Sequence, residues 1–218
     1  MRKLGAWLAF ALCVTAPGKA DSIFQTTAQG KLVIYQRDAI VVHEDPSYIV
    51  YKHFELKERR VTKVRLNKTS LPYRVERSDK AERQRIIEIW KRFGYKVTLT
   101  DVSGKSTQLF DVYLDFYPPG GRGSLLESVP PRTSFPLLME GGGADEFEFD
   151  KVTSVEINGD AMKVTLREGR TATGKFLMPT SHPAEVRIMG ITDHYDPSSD
   201  EVFDFGLALE KVREIRFE

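Results

Sequence analysis

Phe147-Glu-Phe149-Asp-Lys-Val152-Thr-Ser-Val155-Glu-Ile157 returns 60 residues later, position for position, as Leu207-Ala-Leu209-Glu-Lys-Val212-Arg-Glu-Ile215-Arg-Phe217. In both copies the apolar residues stand two, three, three and two places apart. Alternation by two places one face of a β-strand in a core, whereas a step of three is a single tight 3₁₀ turn. Each copy therefore predicts a strand, one turn and a second strand.

Working outward, the starts of the two units also agree. Lys96-Val-Thr-Leu99 recurs as Lys163-Val-Thr-Leu166, each followed by a glycine turn, at Gly104 and Gly169. Second strands are expected at Leu109–Phe116 and Ala172–Leu177, and third strands at Phe135–Met139 and Val186–Ile191. Along the first of these, alternation predicts that Phe110, Val112, Leu114 and Phe116 are buried. Leu109, Asp111, Tyr113, Asp115 and Tyr117 would form a more exposed face. Phe54-Glu-Leu56 followed by Val61, Val64 and Leu66 reads as a weaker third copy. Between it and the fuller units, Asp79 with Glu82 predicts a helix start, and Ile86, Ile87, Trp90 and Phe93 an apolar stripe. Gly94 is expected as the left-handed residue that ends the helix.

Five short strands with a 3₁₀ turn before the last resemble the small SH3-like barrels. That resemblance covers about residues 95–217 and implies a fold without implying an activity. The expected protein is mainly β, built of tandem small SH3-like five-stranded barrel units, with one amphipathic α-helix between the first and second. Its parts are a divergent β unit at 21–77, the helix at 78–94, and repeat units at 95–158 and 159–218. Ile157-Asn-Gly-Asp160 joins the last two almost without a linker, so they should pack as one body.

Residues 1–20 read as a secretory signal peptide. Arg2 and Lys3 precede an apolar run, Leu4–Ala16, which is too short for a bilayer span, and small residues at Gly18 and Ala20 mark a cleavage site. Cleavage there would remove the only cysteine, Cys13, with Arg2, Lys3 and Lys19, leaving 29 basic against 31 acidic residues. A periplasmic or secreted address follows, with no further membrane span. So near-neutral a chain excludes a phosphate-tracking nucleic-acid binder, and a lone cysteine excludes a disulfide framework or thiolate zinc site.

Two long loops carry the candidate binding residues. The first, Tyr117–Arg132, offers Tyr117, Arg122, Leu125 and Leu126; its Gly-Gly-Arg-Gly run lacks the Lys-Ser/Thr ending of a P-loop. The second, His182–Glu201, offers Asp193, His194, Tyr195 and Asp196. No cofactor is called for. The expected function is a non-catalytic binding or assembly module of the bacterial cell envelope, with an envelope protein or a surface glycan as partner. Two alternatives stay open: a periplasmic hydrolase using His194 with nearby carboxylates, and a calcium-dependent adhesion module held by Asp193, Asp196, Asp200 and Glu201.

Overall fold

β-Branched and aromatic runs punctuated by Gly, Asn and Asp give fifteen strands and one helix among the described residues, which are 20–68, 72–119, 129–181 and 183–218 of a computed structural model. With 56% strand and two antiparallel sheets, the protein is mainly β. The expected signal peptide, apart from Ala20, lies outside the described residues. No helix among the described residues is long and apolar enough to cross a membrane.

The first sheet contains β1 (Asp21–Thr26), β2 (Leu32–Glu44), β3 (Tyr48–Glu55), β4 (Arg60–Asn67) and β5 (Tyr73–Glu76), in the order β4-β3-β2-β1-β5. The segment read as a weaker third copy folds differently from the other two. Phe54 and Val61 face each other directly across a hairpin, with Arg59 turning the chain at φ 51°. In the fuller copies the two strands flanking the turn never pair with one another.

Helix α1 (Lys80–Phe93) follows. Asp79 accepts the Glu82 backbone N–H at 2.9 Å, as its capping role predicts, and Ile86, Ile87 and Trp90 are buried. Two details differ from expectation. Phe93 is 48% exposed, so the apolar stripe stops at Trp90. Gly94 has φ −69°, so it is not left-handed; the glycine is needed because a Cβ would lie 2.9 Å from the Asp111 Cα.

The second sheet holds β6 (Val97–Asp101), β7 (Ser106–Tyr117), β8 (Ser134–Met139), β9 (Ala144–Glu148) and β10 (Val152–Asn158). It continues with β11 (Ala161–Leu166), β12 (Thr171–Phe176), β13 (Glu185–Ile191), β14 (Phe205–Ala208) and β15 (Val212–Phe217). The 3₁₀ turns fall at Phe149–Lys151 and Leu209–Lys211, where the spacing of three places them. The repeats thus share one element order. Their pairing, however, runs β14-β13-β7-β6-β15-β10-β11-β12-β8-β9. The second strand of each repeat bonds to the third strand of the other, β7 to β13 and β12 to β8. The last strands, β10 and β15, meet in the middle, with Val155 opposite Ile215 and both fully buried. Exchanging the strands of the two segments and reversing the order returns the same list, so the strand order is symmetric about the β10–β15 pair.

This sheet curls into a half-barrel around one apolar core, in which Phe135, Phe149 and Phe217 meet at 4.7–6.2 Å between rings. Arg132 and Leu114 exchange backbone hydrogen bonds of 2.9 and 2.7 Å, tying the approach to β8 onto β7.

Because both repeats contribute strands to either side of the Val155–Ile215 pair, neither side should melt alone. Ile215→Ala is expected to cost about 2–5 kcal/mol and to leave one cooperative urea transition by far-ultraviolet circular dichroism. Two separated transitions would contradict the interleaved pairing.

Candidate functional site

β7 has polar residues where a buried strand should not, and the site grows from that fact. Asp111 sits at φ 51°, a region that Asp tolerates better than most residues, and the extra residue shifts the alternation of the strand. Leu109, Val112 and Leu114 enter the core, while Phe110, Tyr113 and Tyr117 pack on the opposite side. Leu109 and Phe110 therefore exchange the faces predicted for them. The outer face is covered rather than exposed, since α1, β4 and the segment from Thr192 to Phe203 lie over it.

Two buried ionisable groups fasten that cover. Both carboxylate oxygens of Asp111 accept the Val61 backbone N–H, each at 3.0 Å, which joins β4 to β7. Burial pushes the Asp111 carboxyl up to about 7, against the opposing pull of the Val61 hydrogen bond and the nearby Arg60 charge. Lys52, on β3, is fully buried, and its ammonium donates to the Tyr195 hydroxyl at 2.7 Å, the Ser199 carbonyl at 2.7 Å and the Glu201 carbonyl at 3.1 Å. Tyr195 donates in turn to the Glu201 carbonyl at 2.8 Å. Burial lowers Lys52 to about 8. The acidic loop thus closes around a cation supplied by the chain itself, at the place where the sequence offered oxygen ligands for calcium.

Of the residues named from sequence in this loop, only Tyr195 points inward. Asp193 is exposed and pairs with Lys91 at 2.9 Å; His194 is exposed; the exposed Asp196 accepts the Ser198 backbone N–H at 2.8 Å. Asp196 lines a surface depression with Ser78, Lys80 and Arg83, which neither Asp193 nor His194 lines. Arg122, Leu125 and Leu126 lie outside the described residues. Tyr117, by contrast, lines a cleft of about 510 Å³ between β4 and β7.

Arg60, Lys63 and Val61 form one wall of this cleft, Tyr113, Asp115 and Tyr117 its floor, and Glu201, Val202 and Phe203 the other wall. Lys52 holds that last wall in place through Glu201. The Arg60 guanidinium lies over the Tyr113 ring, 5.6 Å from its centroid, and its buried Nε has no hydrogen-bond partner among the described residues. Asp115 is 3% exposed and accepts the Phe116 backbone N–H at 2.8 Å. Burial, followed by the Asp115 charge, pushes Tyr117 up to about 12; Tyr113 is raised further, by burial and by Asp111 and Asp115. Both phenols stay neutral at ordinary pH and serve as hydrogen-bonding groups, not as bases. Sequence reasoning missed Arg60, Asp115 and Lys52. A charged residue inside an apolar strand run was the available signal for the last two.

No protein-family model, curated protein or solved structure matches the chain. Its function must be argued from the cleft.

The buried groups give two checks. The folded-state value of Asp111, about 7, lies above its unfolded value near 3.8. The folded form then holds the proton that the unfolded form has released, so stability falls as pH rises between those values. Asp111→Asn, which keeps the left-handed backbone accessible, should flatten that decline in denaturation curves from pH 4 to 8, by a few kcal/mol at most. Lys52→Met should leave the Ser199 carbonyl without its donor and the Glu201 carbonyl with the Tyr195 hydroxyl alone. Hydrogen exchange at 195–203 is then expected to quicken at least tenfold, while exchange in β10 and β15 is unchanged.

Proposed function

We propose that this protein is an exported, non-catalytic binding or assembly module of the bacterial cell envelope that holds its partner in the cleft between β4 and β7. The observation that carries the reading is the cleft itself, in which Arg60 and Lys63 face a floor of Tyr113 and Tyr117 and an apolar wall of Val202 and Phe203. Such a surface offers a ligand cationic groups on one wall and an aromatic floor. A junction between two sheets is a usual place for such a cleft. The leader-like start and the absence of cysteine after residue 20 support a periplasmic or secreted address. An envelope protein or a surface glycan would supply the acceptors and apolar surface that the walls ask for.

The same reading extends to the scaffold. Numbering strands within each repeat, one side of the sheet runs fifth-first-second-third-fourth (β15-β6-β7-β13-β14), and the other side matches it. That order supports two SH3-like barrels that have exchanged their first hairpins, each completed by the other repeat.

The test is affinity capture from envelope extract by residues 21–218, comparing the wild type with Arg60→Gln and Phe203→Ala in the cleft and Lys175→Ala on the solvent face of β12. The cleft variants are expected to recover at least tenfold less bound material, and Lys175→Ala the same amount as the wild type. Equal recovery by folded cleft variants would overturn the proposal.

A further inference from the structure

β4 has a neighbouring strand on one side only, since the first sheet begins with it. In an antiparallel ladder, alternate residues turn their backbone groups toward and away from the neighbour. Val61 donates its N–H away from β3, to Asp111, so Lys63 and Arg65 present their N–H and C=O groups in the same outward direction. That edge opens on the cleft, where Val61, Thr62 and Lys63 face Tyr113, Tyr117 and Phe203. Asp111 occupies the place a partner carbonyl would take at Val61, so Lys63 is the next outward rung, with no backbone partner on that side among the described residues. From Lys63 to Asn67 the edge runs for roughly 13 Å.

The charges on this strand have one sign. Arg60, Lys63 and Arg65 stand on β4 with no acidic residue between them. Asp200 pairs with Lys63 at 3.3 Å, Arg65 rests on the Tyr48 ring, and the Arg60 guanidinium lies over Tyr113; the carboxylates that line the cleft, Asp115 and Glu201, belong to β7 and to the opposite wall. From this we infer that the cleft takes an extended, acidic polypeptide segment, which adds to the outer edge of β4 as a further strand. Its backbone pairs with Lys63 and Arg65, a carboxylate meets Arg60, and an apolar side chain covers Tyr117 and Phe203. This is strand addition, in which main-chain hydrogen bonds give affinity and alternate side chains give specificity. The inference rests on the cleft being the binding site and narrows its partner from envelope material in general to a peptide.

A displayed library of random dodecapeptides provides the probe. Selection on the wild type should enrich acidic sequences with at least one aromatic or large aliphatic residue. A synthetic copy of an enriched peptide, followed by fluorescence polarisation, should bind Lys63→Pro at least tenfold more weakly than Lys63→Ala, since both lack the charge and only the first lacks the N–H. Because the Lys63 N–H faces away from β3, proline there breaks no existing rung. Backbone N-methylation scanned along the peptide should weaken binding at every second position, a readout that does not depend on how any variant folds. Uniform tolerance of N-methylation, or equal binding to Lys63→Pro and Lys63→Ala, would overturn strand addition. If binding still fell with Arg60→Gln and Phe203→Ala, the cleft would stand and the edge would not. A peptide indifferent to all these variants would overturn both readings. Failure to enrich any peptide, alongside Arg60-dependent binding of soluble peptidoglycan oligosaccharides, would replace the peptide with a glycan in the same cleft.

Discussion

Asp111 places a carboxylate where no solvent reaches it, on a residue whose own backbone is left-handed, and spends both oxygens on the single N–H of Val61. Much of the geometry on this side of the molecule follows. The extra residue turns Phe110, Tyr113 and Tyr117 onto the outer face of β7 and so creates an apolar surface that must be covered. The hydrogen bond fixes which edge covers it, and at which rung. Gly94 is the third part of the same joint, because only a residue without a Cβ lets the end of α1 close against the Asp111 backbone. A charge so placed is a poor source of stability and a good source of register, since any slip of β4 would leave it unpaired.

Lys52 imposes the matching constraint at the other rim of the cleft. Its three acceptors belong to a loop that begins beyond β13, so the loop cannot leave without stranding an ammonium in an apolar interior. The Asp200 and Asp193 pairs with Lys63 and Lys91 add little by comparison, because both acids are about 70% exposed and water screens them. The walls of the cleft are therefore held by two buried groups of opposite sign, each acting across the junction between the sheets.

How much of this could be read from the residues depends on how local each signal is. The two 3₁₀ turns and their flanking strands were legible, because their spacing is set within eleven residues. The exchange of strands between repeats was not: β7 has the same pattern whether it pairs within its own repeat or with β13. The faces of β7 were misassigned at Leu109 and Phe110 because one bulged residue reverses an alternation that sequence alone must assume to be unbroken. Tyr117 was legible as a residue at the mouth of a loop. Arg60 and Lys52 carry no local signal of their partners, since what buries Lys52 lies in the segment 195–201 and what lies under Arg60 is Tyr113. The acidic loop was read as seeking a cation, and the cation it closes on comes from 143 residues earlier in the chain.

A symmetric strand order does not make the two sides of the second sheet alike. β7 and β12 hold equivalent places in the second sheet, each bonded to the third strand of the other repeat. On β12 the inward residues are Ala172, Gly174 and Phe176, while Thr173 and Lys175 face outward, Lys175 pairing with Asp160 in solvent. On β7 the outward positions carry Phe110, Tyr113 and Tyr117 instead. Water suits the first surface and not the second, so the first sheet and α1 settle on one side only. β4 is joined to β7 through Val61 and Asp111, and the cleft opens beside that joint. The difference of five side chains on these two strands is thus enough to bring the first sheet and α1 onto β7 and to leave β12 to solvent.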